Sequence, residues 1–481
     1  MNRILLVAVN AGYVHSSFSL RCLLANMGEL ADETELVETD VETSPVQLCE
    51  RLLASRPAII GFSVYIWNYT YVLSVLRLLR ILSPETRLVV GGPQVVPDDP
   101  ATAGLFTLAD CAVVGEADSN VAQTFLSAHS SFAQTGMSAP HSSLAHLQLP
   151  YPLYSDEDIA HRVIYAETSR GCPFQCAYCT SAGQGPIRFF PRDPLFAHLE
   201  TLIRRGARKF KFLDRSFNHN GENGLAVLDF LLRQTQAHLG ETFQFHFEFT
   251  PCPLSEEWKR RLCLFRPGEL HLEVGIQTLD ADVARRIGRP FSASDSSYAV
   301  LEETLRFLIH EAKADVHADL ILGLPGETLD GIADGFNRLV ALRPAELQVG
   351  ILKNLPGTHL GRRFAEYDLR FSPEPPYEIL STSTLPFETL CHLARFARCW
   401  ELLYNRGRFP ASMALLLDDV STTPFEKIMS LADTLHATHG RLHALSPRQL
   451  AVALSALFPT KEMAAALETD ARLVRRASRP F

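Results

Sequence analysis

Phe243-Gln244-Phe245-His246-Phe247-Glu248-Phe249-Thr250 alternates phenylalanine with a polar residue without a break. A period of two is that of a β-strand, so the rings share one face and Gln244, His246, Glu248 and Thr250 share the other. Helices must cover the aromatic face, which leaves the polar set facing inward. If the strand belongs to a barrel, the inner side is a lumen. A polar lumen is not the packed interior of a structural barrel; it is a cavity for something polar.

Outward from this strand, a strand-helix series runs from about 162 to 355. The remaining strands are expected at Val163–Thr168, Phe210–Ser216, Leu270–Gln277, Asp315–Leu322 and Leu347–Leu352. Six such units make a partial barrel, two short of the closed eightfold form. Ahead of it, residues 1–130 alternate the apolar runs Ile4–Val9, Glu35–Val37, Ala58–Phe62, Leu88–Val90 and Cys111–Val114 with helix-period segments. That order builds a doubly wound parallel sheet, whose ligands sit beyond the strands' carboxyl ends. Residues 131–160 are rich in Ser, Ala, His and Pro and read as a linker, with the barrel over 161–358. Residues 359–481 read as a helical C-terminal domain, a candidate substrate cap, with a clear helix over Phe387–Tyr404. The fold class is α/β throughout the first two domains.

The 481 residues are 47% apolar and 21% charged, with a net charge of −9. No general attraction to nucleic acid or anionic membrane follows from that balance. Met1-Asn2-Arg3 and the run Ile4–Val9 are too short for a secretory signal, and no stretch has the length of a membrane span. A cytoplasmic protein is expected. In a reducing compartment a tight group among its ten cysteines suggests metal rather than disulfides.

Such a group exists in Glu167-Thr-Ser-Arg-Gly-Cys172-Pro-Phe-Gln-Cys176-Ala-Tyr-Cys179, at the carboxyl end of the first barrel strand. Thiolates are the natural ligands of an iron-sulfur cluster, and three of them leave one iron of a [4Fe-4S] cluster open for chemistry. Structural zinc is the competing reading. Zinc prefers four closed ligands, usually as two separated pairs, and no fourth lies nearby.

SRGCPFQCAYC resembles the signature of radical S-adenosylmethionine (SAM) enzymes. The resemblance implies that SAM chelates the open iron and is cleaved by the reduced cluster to a 5'-deoxyadenosyl radical. It makes Cys172, Cys176 and Cys179 the cluster ligands and sets Tyr178 near the adenine. Further matches imply SAM contacts in Asp214 and Arg215 after the second strand and Glu248 on the third. Glu273 and Gln277 on the fourth strand, and Gly323 in Asp319-Leu-Ile-Leu-Gly323-Leu-Pro-Gly-Glu327, complete that set. Read from the residues alone, Asp214-Arg215 is equally a salt bridge at the barrel mouth. Cys252 reads as a packed thiol and His246 as a hydrogen-bonded lumen residue.

The first domain has neither G-x-G-x-x-G nor a P-loop, so a dinucleotide or P-loop site lacks its phosphate cradle. Small residues at adjacent strand ends, Gly61-Phe-Ser63 and Gly91-Gly92-Pro93, instead suggest a slot for a long ligand tail. Set before a radical SAM barrel, this domain resembles the cobalamin-binding domain of cobalamin-dependent radical SAM enzymes. The resemblance implies cobalamin contacts from Asn10, Tyr13, His15, Ser63, Val64, Tyr65, Trp67, Gly91, Gly92, Pro93, Gly115 and Glu116. Many cobalamin domains place a cobalt-binding histidine in D-x-H-x-x-G; His15 lacks both the aspartate and the glycine. It is therefore either a cobalt ligand without its usual second-shell partner or a pocket residue.

The implied cofactors are a [4Fe-4S] cluster, SAM and cobalamin, and the implied activity is methylation of an unactivated carbon through the deoxyadenosyl radical and methylcobalamin. Radical rearrangement, cyclisation or oxidation with the same cofactors is the alternative. A non-catalytic cobalamin or redox sensor would not need the polar lumen. An RNA methylthiotransferase would need a second cluster and a basic tail, neither of which is evident. The expected partners are a small-molecule or peptide substrate and a one-electron reductant such as flavodoxin or ferredoxin, with no nucleic acid and no membrane span.

Overall fold

The computed structural model describes residues 3–122, 125, 137–139, 143–182, 185–289, 295–358 and 360–477. The N-terminal domain is built on β1 (Ile4–Asn10), β2 (Thr34–Asp40), β3 (Ile59–Ser63), β4 (Arg87–Gly91), β5 (Cys111–Gly115) and β6 (Met137–Ala139). All pair in parallel, in the order β2-β1-β3-β4-β5-β6. The unbroken apolar run of β1 follows from burial on both faces. Leu5, Val7 and Val9 enter one core, while Ile4, Leu6 and Ala8 enter the other.

The five expected strands are present, together with helices Phe18–Ala25, Pro45–Leu53 and Tyr69–Leu82. Helix Pro45–Leu53 begins on a capping box. Ser44 accepts from the Gln47 amide, the Gln47 side chain returns to the Ser44 amide, and Pro45 occupies the first turn. The stretch read as a linker also carries β6, a short helix Asp156–His161 and packed Tyr151 and Tyr154. The last helix-period segment of this domain, Ser119 to His129, lies largely outside the described residues.

The second sheet contains β7 (Ile164–Ala166), β10 (Lys209–Phe212), β11 (Gln244–Phe249), β12 (Leu270–Gln277), β13 (Asp315–Leu322) and β14 (Glu346–Ile351). They run parallel in the order β14-β13-β12-β11-β10-β7, the six-stranded partial barrel expected from the pattern. Between β7 and β10 a two-stranded antiparallel hairpin, β8 (Ser169–Arg170) with β9 (Arg188–Phe189), brackets the cysteines.

The phenylalanines of β11 are buried on the helix side and stack across strands on those of β10, Phe247 on Phe212 at 4.5 Å and Phe245 on Phe210 at 6.1 Å. Such pairs add about 1 kcal/mol each beyond their buried area.

After β14 the chain forms a small antiparallel pair, β15 (Arg370–Phe371) with β16 (Ile379–Ser381), and then turns helical. Helix Phe387–Trp400 packs through Phe396 and Trp400 on Phe336, each with ring centroids at 4.8 Å. These residues belong to the same continuous core as the barrel. Trp400 Nε1 and Asn405 Nδ2 donate to the Leu347 carbonyl, and the Leu347 amide donates to Asn405 Oδ1. Side chains thereby close the open edge of β14, where an unpaired strand would otherwise expose its backbone. No helix among the described residues is long and apolar enough to cross a membrane.

Candidate functional site

The cysteines lie in the loop joining β8 to β9, and a buried carboxylate anchors the start of that loop. Asp214 accepts from Thr168 N at 3.0 Å, Thr168 Oγ1 and Ser169 Oγ at 2.5 Å each, and Asn220 Nδ2 at 3.0 Å. It is 1% exposed; burial pushes its pKa up, against the pull of these bonds. Gly171 has φ +103°, and a Cβ there would lie 2.5 Å from the Pro186 carbonyl oxygen. Only glycine fits immediately before Cys172.

Each thiol has a polar neighbour. Arg289 Nη1 is 3.6 Å from Cys176 Sγ, the Ser181 amide 3.4 Å from Cys179 Sγ, and Ser216 Oγ 3.8 Å from Cys172 Sγ. A cation and N–H donors around sulfur favour thiolates. Among the described residues no three His, Cys, Asp or Glu side chains converge closely enough to share one ion. Three thiolates, each able to hold one iron and leaving a fourth open, are the donor set such a [4Fe-4S] cluster takes. The three thiols fit the cluster.

Arg289 carried no sequence signal. It follows helix Ala281–Arg286, is buried, and donates its other Nη to the Gly275 carbonyl. The register of β12 against β13 shifts between Gly275 and Gln277, where Gln277 takes φ +75°. A Cβ on Gly275 would stand 2.7 Å from Gln277 Nε2. The bulge turns Gln277 back over Gly275, beside Arg289.

Below this point the lumen is lined by two lateral rows fixed by register. Lys211, His246, His271 and Asp315 are successive partners across β10 to β13, and Glu248, Glu273, His317 and Glu346 are successive partners across β11 to β14. Glu273 joins the rows through His246 Nε2 at 2.8 Å and Lys211 Nζ at 3.4 Å. The His246 hydrogen bond, aided by Lys211, holds its carboxyl down to about 2 against the cost of burial. Burial raises Glu248, with Arg215 Nη1 at 3.5 Å as the opposing charge. Burial also raises Asp319 well above the ordinary range, with Glu273 and Glu248 adding to it. Its Oδ1 has no hydrogen-bond partner among the described residues.

Opposite this mouth are the carboxyl ends of β1, β3, β4 and β5. In the observed strand order the direction of winding reverses between β1 and β3, where a crevice is expected. Asn68 spans it, donating to the Val9 and Ser63 carbonyls at 3.0 and 3.1 Å and accepting from the Tyr65 amide at 2.8 Å. The Tyr65 and Trp67 rings stack at 4.2 Å, and Trp67 keeps 51% of its surface exposed. Asn10 donates to the His15 carbonyl and to Glu38. Tyr13 donates to Glu157 at 2.9 Å, and His15 Nδ1 is 2.7 Å from the Tyr165 hydroxyl of β7. An aromatic shelf, strand-end amides and an imidazole beside a hydroxyl suit a large amide-bearing ring such as cobalamin.

Several expected contacts are engaged elsewhere. Asp214 pairs neither with Arg215 nor with the lumen, because its oxygens are filled by Thr168, Ser169 and Asn220. Gly92, at φ +112°, does not open a slot: a Cβ would meet the Val64 carbonyl oxygen at 2.6 Å. The backbone fills that space, with the Val64 amide donating to the Gly91 carbonyl and Gln94 donating to Val64. At Gly323 a Cβ would meet Ile379 Cγ2 at 2.7 Å, so that glycine admits β16. Its amide donates to Glu327, whose carboxyl burial raises to about 8. Glu116, just beyond Gly115, forms ion pairs with Arg170 and Arg188 of the hairpin. Cys252 is buried and accepts from Asn218 Nδ2 at 3.1 Å, a packed thiol as expected.

Residues 4–124 match the B12 binding domain, residues 166–339 the radical SAM superfamily, and residues 365–457 a protein family of unknown function, DUF4080. The chain therefore carries a B12-binding domain followed by a radical SAM domain, and these two domains bring cobalamin, a [4Fe-4S] cluster and SAM as cofactors. The cobalamin-dependent radical SAM methyltransferase TokK of Streptomyces tokunonensis is 26% identical over 407 residues, 73% of this chain and 57% of that protein. The 2-(S-pantetheinyl)-carbapenam-3-carboxylate methyltransferase of Streptantibioticus cattleyicolor is 24% identical over 67% of this chain and 51% of its own. The chain thus spans about half the length of these curated relatives. Among solved structures, the radical SAM methyltransferase TsrM of Kitasatospora setae shares the fold at a TM-score of 0.62 and 14% identity, covering 99% of this chain and 100% of that one.

Proposed function

We propose that the protein methylates an unactivated carbon of a small-molecule or peptide substrate placed between its two cofactor-binding faces. The observation that carries this reading is the fastening of the hairpin that bears the cysteine loop, and of β7 beside it, against the carboxyl ends of the N-terminal sheet, through Arg170 with Asp118, Arg188 with Glu116, and His15 with Tyr165. The methyltransferase relatives support it. When bound, the reduced cluster with SAM supplies a deoxyadenosyl radical and the cobalamin carries a methyl group.

The chain's own part is placement. Cys172, Cys176 and Cys179 hold the cluster at the mouth of the lumen, with Arg289 as a counter-charge. Tyr178, Arg215, Glu248, Glu273 and Gln277 form the polar wall for SAM, and Asp214 and Gly323 shape it from behind. Asn10, Tyr13, His15, Ser63, Val64, Tyr65, Trp67, Gly91, Gly92, Pro93 and Gly115 form the cobalamin face, and Glu116 docks that face on the barrel. The segment between β14 and helix Phe387–Trp400 meets the N-terminal domain where Gln94 Nε2 donates to the Tyr377 hydroxyl at 2.9 Å. That seam forms one wall around the substrate and helps to exclude water. We place the protein in the cytoplasm, with flavodoxin or ferredoxin as its one-electron reductant.

The test is anaerobic reconstitution with iron, sulfide and hydroxocobalamin, followed by reduction and addition of SAM carrying a deuterated methyl group. Formation of both 5'-deoxyadenosine and S-adenosylhomocysteine is expected. Deoxyadenosine without S-adenosylhomocysteine overturns methylation and leaves rearrangement, cyclisation or oxidation.

A further inference from the structure

The β8–β9 hairpin sets two like charges opposite each other. Arg170 and Arg188 are direct cross-strand partners. Like charges placed opposite each other destabilise a strand pair, and a two-residue pair has little else to hold it. The compensating charge comes mainly from the other domain. Glu116 and Asp118, on the loop leaving β5, reach across the interface: Glu116 Oε2 lies 3.6 Å from Arg170 Nη1 and Glu116 Oε1 pairs with Arg188, while Asp118 pairs with Arg170. Among the described residues the barrel's own acidic partner is Glu167, whose Oε2 accepts from Arg170 Nε at 3.0 Å. The Arg170 guanidinium also lies over the Phe190 ring at 5.4 Å.

The hairpin closes where the chemistry begins. Arg170 is followed by Gly171, pressed against the Pro186 carbonyl, and then by Cys172. We propose that Arg170 is a positioning residue: by joining Asp118 and Glu116 to the hairpin, it makes docking of the cobalamin-binding domain set the position of the cysteine loop. This rests on the two-cofactor reading above. The clamp holds one metal centre at a fixed distance and orientation from the other, without touching either.

The readout is magnetic rather than catalytic. A nearby reduced [4Fe-4S] cluster speeds the spin relaxation of cob(II)alamin, and the effect falls steeply with distance. Protein reconstituted with cluster and cob(II)alamin is examined by microwave power saturation, with the cluster oxidised and reduced. Arg170→Gln is expected to keep both spectra at full intensity and lose most of the cluster-dependent enhancement. Arg170→Lys, which keeps the charge without the planar fork, is expected to retain an intermediate value. Arg80→Gln removes an ion pair with Asp110 inside the N-terminal domain and is expected to behave as wild type. Wild-type enhancement in Arg170→Gln overturns the proposal, as does an equal loss in Arg80→Gln.

Should Arg170→Gln fail to assemble its cluster, Asp118→Asn removes one arm of the clamp and leaves Arg170 its remaining partners. A partial loss of enhancement supports the proposal; the wild-type value overturns it. Absence of any cob(II)alamin signal from the wild-type protein instead removes the two-cofactor reading itself.

Discussion

The Arg289 guanidinium stands 3.6 Å from the Cys176 sulfur while its other Nη holds the Gly275 carbonyl, so one buried side chain joins the cysteine loop to the fourth barrel strand. Reduction adds negative charge to the cluster, and a fixed cation beside it favours that state. Arg289→Gln is expected to lower the cluster's midpoint potential, by about 200 mV at most for one charge at this range and an effective dielectric near 20. A redox titration followed by electron paramagnetic resonance measures it. An unchanged potential in a variant with full iron content contradicts the assignment of a charge role.

Asp214 concerns the loop itself. Replacing its carboxylate with a carboxamide sets a donor against Thr168 N, Thr168 Oγ1, Ser169 Oγ and Asn220 Nδ2. At least one buried bond becomes a clash of donors, a cost of about 2 kcal/mol. Asp214→Asn is expected to bind less iron per chain after reconstitution and to unfold at a lower temperature, with cobalamin binding retained. Full iron loading would show that the anchor is dispensable.

How much of this was legible follows from which signals have a period. The rings of β11 placed the lumen, because burial on one face of a strand writes itself into every second residue. The β8–β9 hairpin has two residues a side and no period to read. Arg289 meets Cys176 across 113 positions, a pairing that only the register of the intervening strands creates. Glycines were legible as close approaches but not for what approaches: Gly92 admits the Val64 backbone, and Gly323 admits Ile379. Asp214 looked like a mouth residue because its donors, Thr168 and Ser169, lie on another strand's end.

The Glu273 carboxyl gives a pH prediction. Its folded pKa, about 2, lies below the ordinary carboxylate value near 4.5, so the favourable interaction is present above that value and is lost as pH falls toward 2. The shift sets a ceiling of about 3 kcal/mol, reduced by the solvent reaching the pair. An infrared titration of the carboxylate band, wild type minus Glu273→Gln, should show this group ionised down to about pH 2. In His246→Leu the same band should titrate nearer the ordinary range. A Glu273 that titrates normally in the wild-type protein would remove His246 as its principal partner.

Asn68 separates the two faces. It is fully buried and ties the ends of β1 and β3 through Val9, Ser63 and Tyr65. Asn68→Ala leaves those groups without their partner, at about 1–3 kcal/mol, and loosens the crevice beside the Tyr65–Trp67 stack. Weaker binding of hydroxocobalamin, followed by its absorbance during titration, is expected alongside unchanged iron content. Equal losses of both cofactors would indicate general unfolding instead.

The central claim is that Cys172, Cys176 and Cys179 hold a cluster whose open iron cleaves SAM. The most direct measurement compares 5'-deoxyadenosine formation by wild-type and Cys176→Ala protein, each reconstituted anaerobically with iron, sulfide and hydroxocobalamin, then reduced and given SAM. The wild type is expected to form deoxyadenosine, and the variant to form none above the protein-free background. Deoxyadenosine from Cys176→Ala at the wild-type rate would contradict the account.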